Sequence, residues 1–524
     1  MTTPASGPTA APHGDATEWI ARRWFTPSGA VVAELSPGVL PTDLLVRLAG
    51  RPHCLHLDSA VVDRADDRVD VRAGDGTAAR PRLGRHSFVA VDPIHSLVVD
   101  EDGAAAAPRV AEAVGQLRGL LADLACTTIP GLPSFQGGVA GLVSYECGLA
   151  LAGVSWPVRP DPPVPLLSLH VYDVVCGFDH DSGRGWIVSQ GVPARGPAAR
   201  RRRAEERLES LLATLGPRGV PAAAVARPPV PDPALILSSQ SPASHAALVA
   251  RGIELVRAGD VFQVNLARRL ALAGAVDPLA LHLRSREVNP APFAGFFATD
   301  AATIVSNSPE RLLRVERGTV RMHPIKGTRR VLSIPEADLY AGDDLGLSEK
   351  DRAENVMIVD LVRNDLARTC VPESVRVEAL CRLERYQFVQ HLVSVVAGRL
   401  RPGLGAVDAL VAAIPGGSVT GAPKRRACEI IAELEGFGRG AYCGSLGWIG
   451  FDGNADWNLL IRTFVVGPTA TTFAVGGGIT ARSDPAAEYA ETAHKAEGML
   501  RVLRALADRQ PPDQAPSAPP EARP

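Results

Sequence analysis

No uninterrupted apolar run in the sequence approaches the roughly 18 residues that a membrane-spanning helix needs. The opening stretch, MTTPASGPTAAPHGDATEW, has neither a basic start nor an apolar segment, so no secretory signal is visible. Net charge is also scarce: 55 Lys and Arg against 57 Asp and Glu give −2 at pH 7. That leaves no whole-molecule field to attract nucleic acid or an anionic membrane. The 8 cysteines are scattered, without CxxC or Cys/His ligand spacing, which argues against a zinc site or a disulfide framework. What remains is the composition of an ordinary globular chain, 46% hydrophobic and 21% charged. A cytoplasmic enzyme-sized protein is expected, with reduced, buried thiols.

A chain of 524 residues can hold roughly two to four domains. Residues 1–16 and 509–524 are rich in Pro, Ala and polar residues and are expected to be disordered tails. The Pro-rich stretch 217–233 is expected to be an extended linker or long surface loop, dividing an N-terminal region, 17–216, from a C-terminal one, 234–508. The basic run Arg200 to Arg203, followed by AEERLESLLATL, has the spacing of a solvated face on an amphipathic helix. Further on, 244–259, 348–368 and 485–506 have helical periodicity. The second opens on a Ser cap with acidic residues early and basic ones late, and the third has Pro at its start. VFQVNLARRLAL, CGSLGWIGF and TTFAVGGGI look like strands. Strands follow strands without a regular helix between them, and no internal repeat is visible. The pattern favours an antiparallel α+β fold over a doubly wound one.

Two glycine-rich segments resemble nucleotide loops and are not. In GGSVTGAPK, Ala422 and Pro423 stand where a P-loop needs Lys and Ser/Thr, and VGGGIT lacks GxGxxG spacing. Both still offer backbone N–H groups to carboxylates. Asp351 with Glu354, and Glu488 with Glu491, each lie one helical turn apart and form the kind of oxygen-donor set that Mg²⁺ takes. The plain alternative is helix-dipole stabilisation, with Glu491 and Lys495 as an i,i+4 ion pair. Lys326, between Pro324 and Gly327, is either a nucleophile or a turn lysine. Arg462, a charge inside an apolar strand pattern, suits a substrate carboxylate and a structural salt bridge equally. His391 is compatible with a satisfied core histidine.

Together, FQVNLARR, SPERLL, PIKGT, DRAENVMIVDLVRND, PGGSVTGAPKRRACEII, RGAYCGSLGWIG, NLLIRT, GGGIT and E-x-x-E-T-x-x-K resemble the chorismate-utilising enzyme family. The likeness runs from about residue 240 to 500. It continues more loosely through HLDSA, GRHSFVAVDP and FQGGVAGLVSYE. The resemblance implies two large stacked antiparallel sheets flanked by helices. It also implies Mg²⁺ as cofactor, with Glu354 and Glu491 as ligands and Asp351 and Glu488 nearby as water-bridged partners. Tyr442, Arg462 and the amides of Gly476, Gly477 and Gly478 match positions that hold the carboxylates of chorismate. Gly327, Thr328, His391 and Lys495 match the same pocket. A dianionic substrate suits a cation, an Arg, a Lys and unpaired N–H groups.

Two positions point to the branch of the family. Relatives that add water carry a lysine base where Gln263 stands, and an amide cannot act as a base at neutral pH. Anthranilate synthases share the glutamine but have Ala where Lys326 stands. The combination found here resembles the branch that makes 4-amino-4-deoxychorismate, in which the lysine attacks C2 and ammonia then enters at C4. Glu310 of SPERLL matches the acid/base and is expected to need a raised pKa. No Cys-His-Glu glutaminase is visible, so ammonia is expected from solution or a separate glutamine amidotransferase subunit. HLDSA and NPAPFAG, through Asp58, Ser59, Pro292 and Phe293, resemble segments that line a tryptophan pocket in the family, which makes tryptophan a further candidate ligand. Anthranilate synthesis is the alternative within the enzyme class. A non-catalytic chorismate- or tryptophan-binding partner is the alternative outside it.

Overall fold

A computed structural model of the chain describes residues 19–59, 84–100, 103–218, 230–330, 348–385 and 389–508. The two expected tails and most of the Pro-rich stretch lie outside the described residues. The expected helices are present where their local signals put them. Ser241 caps the helix Pro242–Arg257, Ser348 the helix Glu349–Ala367, and Asp484 the helix Pro485–Ala507. Each cap accepts a backbone N–H that would otherwise lack a partner. The helix Pro197–Leu215 buries Ala204, Leu208, Leu211 and Leu212, while Arg201 and Arg202 face solvent beside Glu205 and Glu206. The basic run is thus solvated at Arg201 and Arg202, whereas Arg200 and Arg203 turn inward and donate to the carbonyls of Gln190 and Val192.

Among the described residues the strands form two antiparallel sheets, one of 13 strands and one of 10. The fold is α+β. Both sheets take strands from before and after residues 217–233. In the larger sheet, Leu55–Asp58 pairs with Phe293–Ala298. In the smaller, Gly138–Val143 pairs with Ser445–Gly450. The inner faces pack through Phe88, Phe135, Phe297, Ile304, Leu446 and Trp448, and Phe135 stacks on Trp448 with ring centroids 5.0 Å apart. Fully burying a side chain of this size contributes about 2–3 kcal/mol. Helices cover the outer faces: Pro485–Ala507 packs on the strand Ala470–Ile479 and Glu349–Ala367 on the strand Val389–Arg399.

All 8 cysteines are free thiols, 7 of them buried and Cys126 partly so. No described helix is long and apolar enough to cross a membrane.

Candidate active site

The site forms where the central strand Gln263–Ala273 pairs with Ala470–Ile479, and where the strand Ile325–Arg330 comes under the helix Glu349–Ala367. The register places Asn265 opposite Gly478, Leu266 opposite Gly477 and Ala267 opposite Gly476. The three glycines leave a floor of bare backbone. A Cβ on Gly478 would fall 2.1 Å from Gln263 Nε2 and 3.3 Å from Lys326 Nζ. One on Gly477 would lie 2.9 Å from Glu488 Oε2 and 3.8 Å from Glu491 Oε1. Two segments far apart in sequence can come this close only because no side chain intervenes.

Lys326 stands at the centre. Its Nζ is 3.9 Å from Glu354 Oε2, and its side chain is 13% exposed. Burial pushes its pKa below the ordinary lysine value. Glu354, Glu310 and Glu491 oppose that fall, and Lys495 adds to it. Those four ionisable groups surround one amine. Gly327 follows with φ of 75°, a left-handed conformation that favours glycine, and the strand register shifts there. The shift lets His391 bond to the backbone of Gly327. Burial pushes His391 down to about 3, with the nearby Arg462 adding to the effect, so it is a neutral ring at physiological pH. Of Thr328 only the backbone is described, opposite His391.

Glu310 is 5% exposed. Burial raises its carboxyl to about 7, against the Ser418 hydroxyl, the Lys326 charge and the Ile325 N–H, which favour the ionised form. A carboxyl poised there can donate and take back a proton at neutral pH. Arg462 has φ of 51° and burial lowers its pKa; among the described residues no carboxylate pairs with it. A partly buried guanidinium with no carboxylate partner among the described residues suits an anionic ligand better than a structural salt bridge. Lys495 donates to the Gly476 carbonyl at 2.9 Å and pairs with Glu491 at 2.7 Å.

The acidic residues reach the site from two helices. Glu354 and Glu491 both act on Lys326 from different helices. Glu488 lies behind Gly477 and accepts from Ser483 at 2.7 Å, and Asp351 sits one turn before Glu354 near the helix start. Among the described residues these carboxylates do not form a group of three ligand atoms within 4.8 Å, whereas His56, Asp58 and His282 do. Mg²⁺ keeps several waters and needs only one or two carboxylates, so the acidic set fits it. In the histidine group, Asp58 pairs with Arg286 and His56 Nδ1 meets His282 Nε2 at 3.0 Å, while His56 Nε2 and His282 Nδ1 have no hydrogen-bond partner among the described residues.

Tyr442 is buried against Arg439 and Cys443, the latter within the field of Glu310. Asp58 and Ser59 lie next to the segment Pro292–Phe293 in the larger sheet, with the Asp58 side chain turned toward the helix Pro278–Val288. Ser59 donates to the Pro292 carbonyl at 3.2 Å, and Asp58 lies opposite Ala294. Asp58 is bonded to Ser87 and Arg286, so it is not open to a ligand amine in this arrangement.

Some site-building residues drew no notice from spacing alone. Ser418 donates to Glu310 Oε1 at 2.7 Å. Lys424 of GAPK bonds Asp365 of VRND at 2.7 Å, tying the glycine-rich turn to the helix that carries Glu354. Glu435 and Arg439 form a buried fork-like pair whose Arg also donates to the carbonyls of Val419 and Asn265. Only the last left a sequence signal, an i,i+4 Glu–Arg spacing.

With this geometry in place, comparison with known proteins is consistent. The family described as chorismate binding enzyme matches residues 75–501. An anthranilate synthase component 1 from Streptomyces coelicolor is 39% identical over 72% of this chain and 74% of its own. An aminodeoxychorismate synthase component 1 from Klebsiella aerogenes is 34% identical over 87% of this chain and 95% of its own. Among solved structures, anthranilate synthase component I from Streptococcus pneumoniae superposes with a TM-score of 0.67 at 28% identity, over 82% of this chain and 96% of that one. The menaquinone-specific isochorismate synthase of Escherichia coli, 18% identical over 90% of this chain and 94% of that one, shares the fold with a TM-score of 0.66. The chain belongs to the chorismate binding enzyme family.

Proposed function

We propose that the chain is the chorismate-converting component of an aminodeoxychorismate synthase, forming 4-amino-4-deoxychorismate from chorismate and ammonia. The observation that carries this reading is the buried Lys326 amine, set between Glu354 and the glycine floor beside Gln263. Its lowered pKa raises the fraction of neutral amine, the form able to attack carbon. The amine adds at C2 of chorismate, both ring double bonds shift (C1=C2 to C1=C6 and C5=C6 to C4=C5), and the C4 hydroxyl leaves. Hydroxide is a poor leaving group, and Glu310, raised to about 7, supplies the proton that lets it depart as water. Ammonia then adds at C4 and the lysine is expelled from C2. The Glu310 carboxylate takes the proton that the new amine sheds.

Gln263 supports amination over hydration. Its side chain is 1% exposed, and its Oε1 has no hydrogen-bond partner among the described residues. An amide oxygen there can accept from an N–H but cannot deprotonate water. Arg462 and the amides of Gly476 to Gly478 would hold the substrate carboxylates. Glu354 and Glu491 would hold Mg²⁺, which when bound offsets the charge of the ring carboxylate. The ammonia source would be a separate amidotransferase, in keeping with the component 1 names of the relatives.

Anthranilate synthesis is the second reading, because relatives of both names match at comparable identity. Incubation with chorismate, Mg²⁺ and ammonium salt separates the two. The expected product is 4-amino-4-deoxychorismate, converted to 4-aminobenzoate by an added lyase. Direct appearance of fluorescent anthranilate as the main product would overturn the assignment.

A further inference from the structure

We propose that Ser418 is a positioning residue for proton transfer: its hydroxyl aims the Glu310 carboxyl at the departing hydroxyl and governs how readily that carboxyl yields its proton. The inference rests on Glu310 being the proton donor, as argued above, and extends it to a residue that does not touch the reacting atoms.

The hydroxyl of Ser418 donates to Glu310 Oε1 at 2.7 Å, and both side chains are buried. That bond engages one carboxyl oxygen and restrains rotation of the group. The rest of Glu310 is held as well: its N–H donates to Ser308 Oγ at 3.2 Å, and its carbonyl accepts from Leu459 N at 3.0 Å.

The mount of Ser418 is closely packed. It lies in the short 3-10 turn Gly417–Val419, and Thr420 Oγ1 closes that turn on the Gly416 carbonyl at 2.9 Å. A Cβ on Gly416 would meet Leu459 at 2.9 Å, and one on Gly417 would meet Leu361 at 2.7 Å. The turn is therefore wedged between the Leu459 segment and the helix Glu349–Ala367. The Lys424–Asp365 pair fixes the chain just beyond it. A hydroxyl mounted this way holds its acceptor in place.

Among the described residues, the groups that face the Glu310 carboxyl are the Lys326 charge, the Ile325 N–H, the Ser418 hydroxyl and the Cys443 thiol. Of the two hydrogen-bond donors, only Ser418 can be removed by changing a side chain. A donor bonded to a carboxylate stabilises the ionised form, so its loss makes the carboxyl hold its proton to higher pH.

The test uses the full chain with chorismate and Mg²⁺ but no ammonia, following covalent adduct formation by mass spectrometry across pH. Omitting ammonia removes its own ionisation from the profile. Ser418→Ala is expected to slow the reaction and to move the limb set by Glu310 upward by about one pH unit, the size expected when one hydrogen bond to a buried charge is lost. Ser418→Thr, which keeps a hydroxyl, is expected to return the limb. A merely structural role would lower stability without moving it. If Ser418→Ala does not fold, Ser418→Cys keeps the volume with a weak donor and carries the same expectation. An unmoved limb in the folded variant overturns the inference. Glu310→Gln separates the two layers. Parent-rate adduct formation in that variant removes Glu310 as the acid, and the role of Ser418 with it. A silent Glu310→Gln beside an unmoved Ser418→Ala limb removes Ser418 alone.

Discussion

Adding one methyl group to the glycine floor, as Gly478→Ala, is expected to damage catalysis far more than folding. The new Cβ would fall 2.1 Å from Gln263 Nε2 and 3.3 Å from Lys326 Nζ. An ordinary contact needs about 3.5 Å, so the Gln263 amide must retreat by more than about 1 Å. Its neighbour is the far end of a flexible side chain, and the φ of Gly478 is not in the left-handed region, so the backbone need not break. The stability cost is that of modest overpacking, about 1–3 kcal/mol. A displacement of about 1 Å in a reacting constellation lowers the rate about 100-fold. The assay is steady-state formation of 4-amino-4-deoxychorismate from ammonium salt, with thermal unfolding measured in parallel. A Gly478→Ala protein with parent kcat and unchanged unfolding would show that the spacing of Gln263, Lys326 and the floor does not matter to the reaction.

Arg462→Ala is expected to raise the KM for chorismate about 10- to 100-fold, the loss of a charge-assisted bond to a substrate carboxylate; an unchanged KM would make Arg462 structural. Glu354→Gln and Glu491→Gln should each abolish Mg²⁺-dependent turnover while leaving circular dichroism intact. Chelator-insensitive activity in the parent would contradict the cation assignment. Glu435→Gln should destabilise the fold by about 3–5 kcal/mol by stranding the Arg439 charge in the interior. Chemical denaturation would show this as a lower midpoint, and an unchanged midpoint would refute the structural role given to the pair.

The helices were legible because their signals are local. Ser348 and its acidic first turn, or Asp484 before Pro485, describe a helix start without reference to the rest of the chain. The sheet order was not legible from spacing. The strand Gln263–Ala273 finds its partner in Ala470–Ile479, and only the folded chain shows that Gly478 lies beside Gln263 and Lys326. Lys326, Glu310 and Arg462 stand in short motifs, but their electrostatics cannot be read there. A lysine's lowered pKa and a glutamate's raised one come from burial, which no short motif records. The Ser418 bond spans 108 residues, and nothing in the spacing announces it. Asp58 shows the converse. Its motif suggested an open pocket wall, whereas the fold supplies it with Arg286 and Ser87.

The most direct test of the account asks whether Lys326 becomes covalently attached to substrate. Chorismate is incubated with the protein and Mg²⁺ in the absence of ammonia, quenched in acid and examined by intact-mass and peptide-mapping spectrometry. The account predicts an adduct of chorismate less one water, located in the peptide containing PIKGT and absent from Lys326→Ala. Formation of 4-amino-4-deoxychorismate by Lys326→Ala at the parent rate, with no adduct in either protein, would contradict it and leave the lysine as an electrostatic neighbour only.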